Sequence, residues 1–409
     1  GRRRSSWTGP RARSPECIAS ITLRRYSLGV TRLSPLRLAS SLFEASFASR
    51  PASGASAPGR VNLLGEHTDY NGGPVLPFAL PRRTVVLAGP GEGWEAVSAL
   101  DGTVQRFDPE AAPEGRWTDY VAGAVRVLAA MRAAPAGGRI AVASSLPVGA
   151  GLSSSAALTV ATARALSRLA GRRLSREAVV EVAWHAEHDV VGVQCGRMDQ
   201  MIAAHATARH AALIETADGT ITPLPFAHPV LLIETGVAHR LMDGEYNRRR
   251  AECTAALEAC RSAGCEVGHL AALPVDALDG LRGKMPELLY RRLSHVVRES
   301  ARTRAAALAL TTGDYERFGA FLLEGHHSIR DDFESSCTEA DRLVESAMRH
   351  GAWGARLTGA GWGGTVVVLA PRERLTALTS AVSADFRREV GRAPTVWRAR
   401  ASGGVRSET

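Results

Sequence analysis

Between Ala57 and Pro77 the chain gathers side chains that can hold hydroxyl groups. Arg60, Asn62, Glu66, His67, Asp69 and Asn71 fall within twelve residues, interleaved with Gly59, Gly65, Gly72 and Gly73. Carboxylates accept, a guanidinium donates and an imidazole does either, so the set suits a neutral polyol. An ordinary polar turn rarely needs an Arg, a Glu, a His and an Asp together. A second loop runs from Leu146 to Ala157. Gly149 and Gly151 permit close backbone approach, and Ser153, Ser154 and Ser155 open the helix that follows. Backbone N–H groups and the helix dipole there would face a phosphate. A serine hydroxyl can also ligate Mg²⁺. One serine would suffice as a helix cap; three after Gly-x-Gly favour phosphate binding.

Other segments carry less. Thr358 to Gly364 formally satisfies G-x-G-x-x-G, but a dinucleotide fold needs a helix next. Thr365-Val-Val-Val-Leu-Ala370 reads instead as a strand, so this loop is expected to pack against the phosphate loop. Asp199 follows a glycine turn, Gly192 to Gly196, and can project into a cleft. His185 and His188 are three apart with no third ligand, which is not the H-E-x-x-H zinc pattern. They are read as structural, with Glu187 between them as a candidate metal-side carboxylate. The chain's one lysine, Lys284, lies outside any Walker-type P-loop sequence.

These loops need strands and helices to hold them. Arg83–Ala88 and Arg139–Ser144 read as strands, with two shorter ones near Trp94–Ala99 and Thr103–Phe107. Trp117–Ala130 has helical periodicity. A helix follows the serines to Leu169, and Ser175 caps another to about Val190. Ala211–Thr216 and Thr220–Pro225 form a hairpin turning at Asp218-Gly219. After Pro229 come a strand, a helical region over 245–349, strands at Ala355–Leu357 and Thr365–Ala370, a helix over 372–390 and a last strand at Thr395–Ala399. Pro51–Pro58 is read as a Ser/Gly/Pro-rich approach to the first loop. The expectation is an α+β protein with mixed sheets, divided into 38–220 and 221–409.

The first loop resembles the galactokinase family signature, Gly-Arg-Val-Asn-Leu-Leu-Gly-Glu-His-Thr-Asp-Tyr-Asn. The second resembles the phosphate loop of the wider GHMP small-molecule kinases, and Thr358–Gly364 their C-terminal glycine motif. The resemblance runs from about Leu38 to Ala399. It implies a two-domain GHMP kinase fold with the active site in the cleft between domains. It also implies transfer of the ATP γ-phosphoryl to the C1 hydroxyl of D-galactose, with Mg²⁺. Arg60 and Asp199 would flank that hydroxyl, Asp199 as base and Arg60 stabilising charge. Glu66, His67, Asp69, Gly196 and Tyr246 would contact the sugar. Gly149, Ala150, Gly151, Leu152, Ser153, Ser154, Ser155 and Ala156 would bind ATP, Trp117 would pack on adenine, and Ser155 and Glu187 would sit at Mg²⁺. His326–Phe333 matches a family stretch read as structural. Trp362 and Thr365 replace the family's common Phe and Cys. Two alternatives stand beside this reading: a kinase for N-acetylgalactosamine or arabinose, and a non-catalytic galactose and ATP sensor.

Composition narrows the rest. The chain has 409 residues and a net charge of +9, of which residues 1–50, with ten Arg and two acids, hold +8. The remainder is near +1 and offers no electrostatic footprint for nucleic acid. No apolar run approaches the ~18 residues of a membrane helix. The six cysteines form no C-x-x-C pair and read as reduced cytosolic thiols. Residues 1–37 read as a disordered or non-native extension. A cytoplasmic monomer or weak homo-oligomer is expected.

Overall fold

A computed structural model describes residues 33–237 and 242–408. The reading of the extension therefore lies outside the described residues up to position 32. Its last residues do not fit that reading, because helix α1 (Pro35–Phe47) starts there, with Ser34 as its cap. Leu38, Ala39, Leu42 and Phe43 bury its apolar face against the first sheet.

That sheet has six strands in the order β13-β1-β3-β6-β4-β5. They are β1 (Ser53–Asn62), β3 (Pro77–Pro90), β4 (Trp94–Ser98), β5 (Val104–Arg106), β6 (Gly138–Ser144) and β13 (Arg406–Ser407). All pairings are antiparallel except β4 with β6. The short β2 (Pro74–Val75) joins the hairpin β7 (His210–Glu215) and β8 (Thr220–Pro225) in a three-stranded sheet. Helices α2 (Trp117–Ala130), α3 (Ser154–Leu169), α4 (Arg176–His185) and α5 (Met198–His205) accompany these sheets. A single turn of π-helix, Ala186–Val191, continues α4.

The second half holds a four-stranded antiparallel sheet, β10-β11-β9-β12. Its strands are β9 (Val230–Glu234), β10 (Gly354–Thr358), β11 (Thr365–Leu369) and β12 (Thr395–Ala399). Around it lie α6 (Met242–Ser262), α7 (Ala277–Leu281), α8 (Glu287–Thr312), α9 (Tyr315–Asp331), α10 (Thr338–Arg349) and α11 (Leu375–Val390).

Two features depart from the sequence reading. The segment read as an irregular approach is a central strand, β1. Its residues are small because neighbours crowd it: a Cβ at Gly54 would meet Leu87 Cδ2 at 2.5 Å and Glu408 O at 2.7 Å. A division at 220/221 falls inside strand β8, just after the β7–β8 turn, and β13 returns from the far end of the sequence to pair with β1. Arg83 secures that return by donating to the carbonyls of Gly403 and Gly404 at 2.9 and 2.8 Å.

Candidate active site

The β1–β3 register shifts between Pro58 and Arg60, a bulge. Gly59 sits at it, where a Cβ would meet Leu146 Cδ2 and Leu152 O, each at 2.5 Å. The missing side chain lets β1 touch the second loop, and Arg60 N–H donates to Leu152 O at 3.2 Å. Beyond the bulge, fully buried Leu63 and Leu64 anchor the first loop in the core, each contributing on the order of 2 kcal/mol.

The Arg60 side chain joins both loops to α5. Its Nη1 donates to Gly151 O at 2.6 Å. Its Nε and Nη2 grip Asp199 Oδ1 and Oδ2 at 2.7 and 3.0 Å, a bidentate pair. The Ser153 hydroxyl donates to the same Oδ2. Ser153 has φ of 56° and makes no side-chain cap, so its hydroxyl is committed to Asp199 instead of to the helix it opens.

A cavity of about 710 Å³ lies here. Of the residues expected at the site, Arg60, Glu66, His67, Asp69, Gly149, Gly151, Leu152, Ser153, Ser154, Ser155, Glu187, Gly196, Asp199 and Tyr246 line it. Ala150 and Ala156 do not, being buried in the core. Trp117 also does not: it packs, half-buried, on the core. The helical turn instead presents Arg116, Asp119 and Tyr120 to the cavity, beside Pro113 and Gly115.

The acidic groups are perturbed by burial. It raises Glu66 to about 7, with Arg356 opposing and Glu299 adding to the rise. It raises Asp69 to about 6, helped by the nearby Asp199 charge. It raises Glu187 to about 7 against hydrogen bonds from Gln200, Ser155 and Thr159. The Gln200 and Thr159 bonds reach Glu187 Oε1 at 2.9 and 3.0 Å. Gly196 lies so close to Asp69 that a Cβ would overlap its carboxylate.

His67 is neutral. Burial lowers it to about 3, with His295 adding to the fall. Its Nε2 donates to Ala360 O at 3.0 Å, so Nδ1 accepts from the Tyr70 hydroxyl at 2.9 Å. Both nitrogens are thus held by the protein, and the ring is packed against Phe333 at 4.4 Å. His67 (φ 63°), Ser153 (φ 56°) and Trp362 (φ 52°) all adopt left-handed backbone, a strain that surrounding structure must hold.

The third loop packs as expected. A Cβ at Gly359 would meet Gly151 O at 3.0 Å, and Thr365 Oγ1 donates to Ala150 O at 2.8 Å. Sequence reasoning missed Tyr70, Arg250, Glu299 and Arg356. Arg250 donates to Gln194 O at 2.5 Å and helps to hold the Asp69 charge. The overlooked sign was an arginine in a strand, β10, whose five residues are all buried.

Ser155 and Glu187 offer a hydroxyl and a carboxylate, oxygen donors that suit a hard cation. Mg²⁺ is bound through one or two carboxylates plus substrate phosphates more often than by an all-protein cage. Among the described residues no cluster of three or more His, Cys, Asp or Glu could hold a metal ion. No helix among them is long and apolar enough to cross a membrane.

Residues 41–90 match the galactokinase galactose-binding signature, 119–207 the GHMP kinase N-terminal domain and 305–388 the GHMP kinase C-terminal domain. The chain is 38% identical over 358 residues to the galactokinase of Chloroflexus aggregans, covering 86% of this chain and 92% of that one. It is 40% identical over 346 residues to the galactokinase of Homo sapiens, covering 80% and 86%. The crystal structure of Lactococcus lactis galactokinase complexed with galactose superposes with a TM-score of 0.87 at 28% identity, over 91% of this chain and 100% of the other. A mevalonate kinase structure, at 17% identity and a TM-score of 0.59, shares the fold.

Proposed function

Because the chain belongs to the galactokinase family of the GHMP kinases, we propose that its cleft transfers the γ-phosphoryl of ATP to the C1 hydroxyl of D-galactose. The observation that carries this reading is the bidentate Arg60–Asp199 pair, at the junction of the sugar loop and the phosphate loop.

Phosphoryl transfer is mainly positioning and charge stabilisation. Asp199 accepts the proton of the C1 hydroxyl as the hydroxyl oxygen bonds to the γ-phosphorus and the bond from that phosphorus to ADP breaks, ADP being the leaving group. Arg60 stays beside it and offsets the charge that develops. Glu66, Asp69 and Tyr246 hold the other sugar hydroxyls, with Gly196 allowing the sugar and Asp69 to lie close. The loop from Gly149 to Ser155 and the α3 N-terminus face the phosphates. Tyr120, on the wall that Trp117 was expected to form, is the aromatic candidate for the adenine side. Ser155 and Glu187 would hold Mg²⁺, which supplies charge neutralisation at the phosphates. The five described cysteines are free thiols, which supports a reducing, cytoplasmic setting.

The test is ADP release by the full chain with ATP and Mg²⁺, offered D-galactose, D-glucose, N-acetylgalactosamine and L-arabinose separately. Turnover on galactose and not on glucose is the expected result. Turnover on another sugar alone would move the specificity. Sugar binding without turnover on any of them would replace the enzyme reading with a sensor.

A further inference from the structure

Glu66 lines the cavity, yet neither of its buried carboxylate oxygens takes an aligned hydrogen bond from a described residue. Its ion-pair partner is Arg356 Nη2. Arg356 lies on β10 and is fully buried, and its Nη1 donates to Glu299 Oε1 at 2.8 Å. Glu299, on α8, is also fully buried. It pairs with Arg302 and accepts the backbone N–H of Gly65 at 2.9 Å. One guanidinium thus faces two carboxylates, and the second carboxylate grips the residue that precedes the first.

An independent observation concerns Gly325, inside α9. A Cβ there would overlap Arg356 Nη1 and approach Leu64 Cδ2 at 3.0 Å. Glycine in a helix interior is less stable than alanine. The helix gives up that stability and leaves room for the guanidinium.

We propose that Arg356 is a positioning residue for sugar binding: braced by Glu299, it holds the Glu66 carboxylate where it accepts sugar hydroxyls. This rests on the galactose reading above. The charged and titratable groups facing Glu66 are Arg356 from β10, Glu299 and His295 from α8, and Arg60 from β1. His295 Nε2 donates to the Glu66 carbonyl at 3.1 Å. Burial favours the protonated acid, and Arg356 is the main group opposing it. Without Arg356 the acid would stay protonated to higher pH, a donor where the sugar meets an acceptor.

The experiment compares the full chain with Arg356→Met, Arg356→Lys and Gly325→Ala. It measures kcat, the KM for each substrate, and calorimetric galactose affinity from pH 6 to 8.5. Arg356→Met is expected to weaken galactose binding about fivefold at pH 7, the loss of ionised Glu66 for a rise of one unit. The rise of affinity with pH moves to higher pH, while the KM for ATP changes little. Arg356→Lys restores part of the loss. Gly325→Ala, which keeps the charge and displaces it, weakens galactose binding severalfold. If Arg356→Met does not fold, the other two carry the test. Wild-type galactose affinity and an unmoved pH dependence in the folded variants overturn the proposal. A wild-type chain that turns over another sugar and not galactose overturns the parent reading, and this one with it.

Discussion

Asp199 is clamped by three donors, two from Arg60 and one from Ser153. A base held this way is already oriented before substrate arrives, and orientation is much of what it supplies. Asp199→Ala should therefore lower kcat by about 10²–10⁴-fold with the fold intact; near-normal turnover would remove Asp199 from this role. Asp69→Ala should mainly erode discrimination between galactose and its epimers, since hydroxyls lose a paired acceptor. Equal kcat/KM ratios in the two proteins would reject that assignment. Glu187 carries a third expectation. Burial raises it to about 7, so binding Mg²⁺ there must expel a proton. Mg-ATP affinity should rise from pH 6 to pH 8, with proton release seen by calorimetry in buffers of different ionisation enthalpy. Affinity independent of pH, without proton release, would show that Glu187 is not at the metal. Arg60, Glu66, Asp69 and the three serines were legible because their chemistry is dense and local. Arg356 and Glu299 were not, because they lie 57 residues apart on different elements and only packing unites them.

At the scale of elements, the third glycine loop serves as a clamp. One side takes the His67 ring through Ala360 O, and the strand that follows ties the phosphate loop through Thr365 and Ala150. Thr365→Val should leave the Ala150 carbonyl without its donor, at a cost of about 1–3 kcal/mol. The KM for ATP should rise more than the KM for galactose; equal rises, or none, would show that the bond does not brace the phosphate loop. That this loop packs and does not bind a dinucleotide was legible from the strand after it. The nature of β1 was not. Ser53 to Gly59 lacks the β-branched residues that mark strands. It is built of small residues because α3 and the returning tail press on it: Ser53 Oγ donates to Ala165 O at 2.8 Å, and Ser56 Oγ to Glu408 Oε1 at 2.6 Å. Local propensity yields there to contacts made hundreds of residues away.

At the scale of the molecule, the buried groups set opposing pH responses. Burial lowers His67 to about 3 and His295 to about 4. Their stabilisation is present above the unfolded histidine range near 6.5 and is lost as pH falls toward those values. Burial raises Glu66 and Glu187 to about 7 and Asp69 to about 6. Their stabilisation is present below the unfolded carboxyl range near 4 and is lost as pH rises through 6 to 7. Between about pH 4.5 and 6.5 the three carboxyls outweigh the two histidines, so the sum of these five groups should make the ligand-free melting temperature fall modestly as pH rises. Ligands that need ionised carboxylates should then stabilise more at pH 8 than at pH 6. A gain from Mg-ATP and galactose that is the same at both values would contradict this balance. The return of β13 to β1 has a further consequence during synthesis. The strand that carries Arg60 emerges from the ribosome some 350 residues before its edge partner, as the Ser56–Glu408 separation of 352 shows. Until then the nascent sheet presents an open edge, available to chaperones or to another nascent chain.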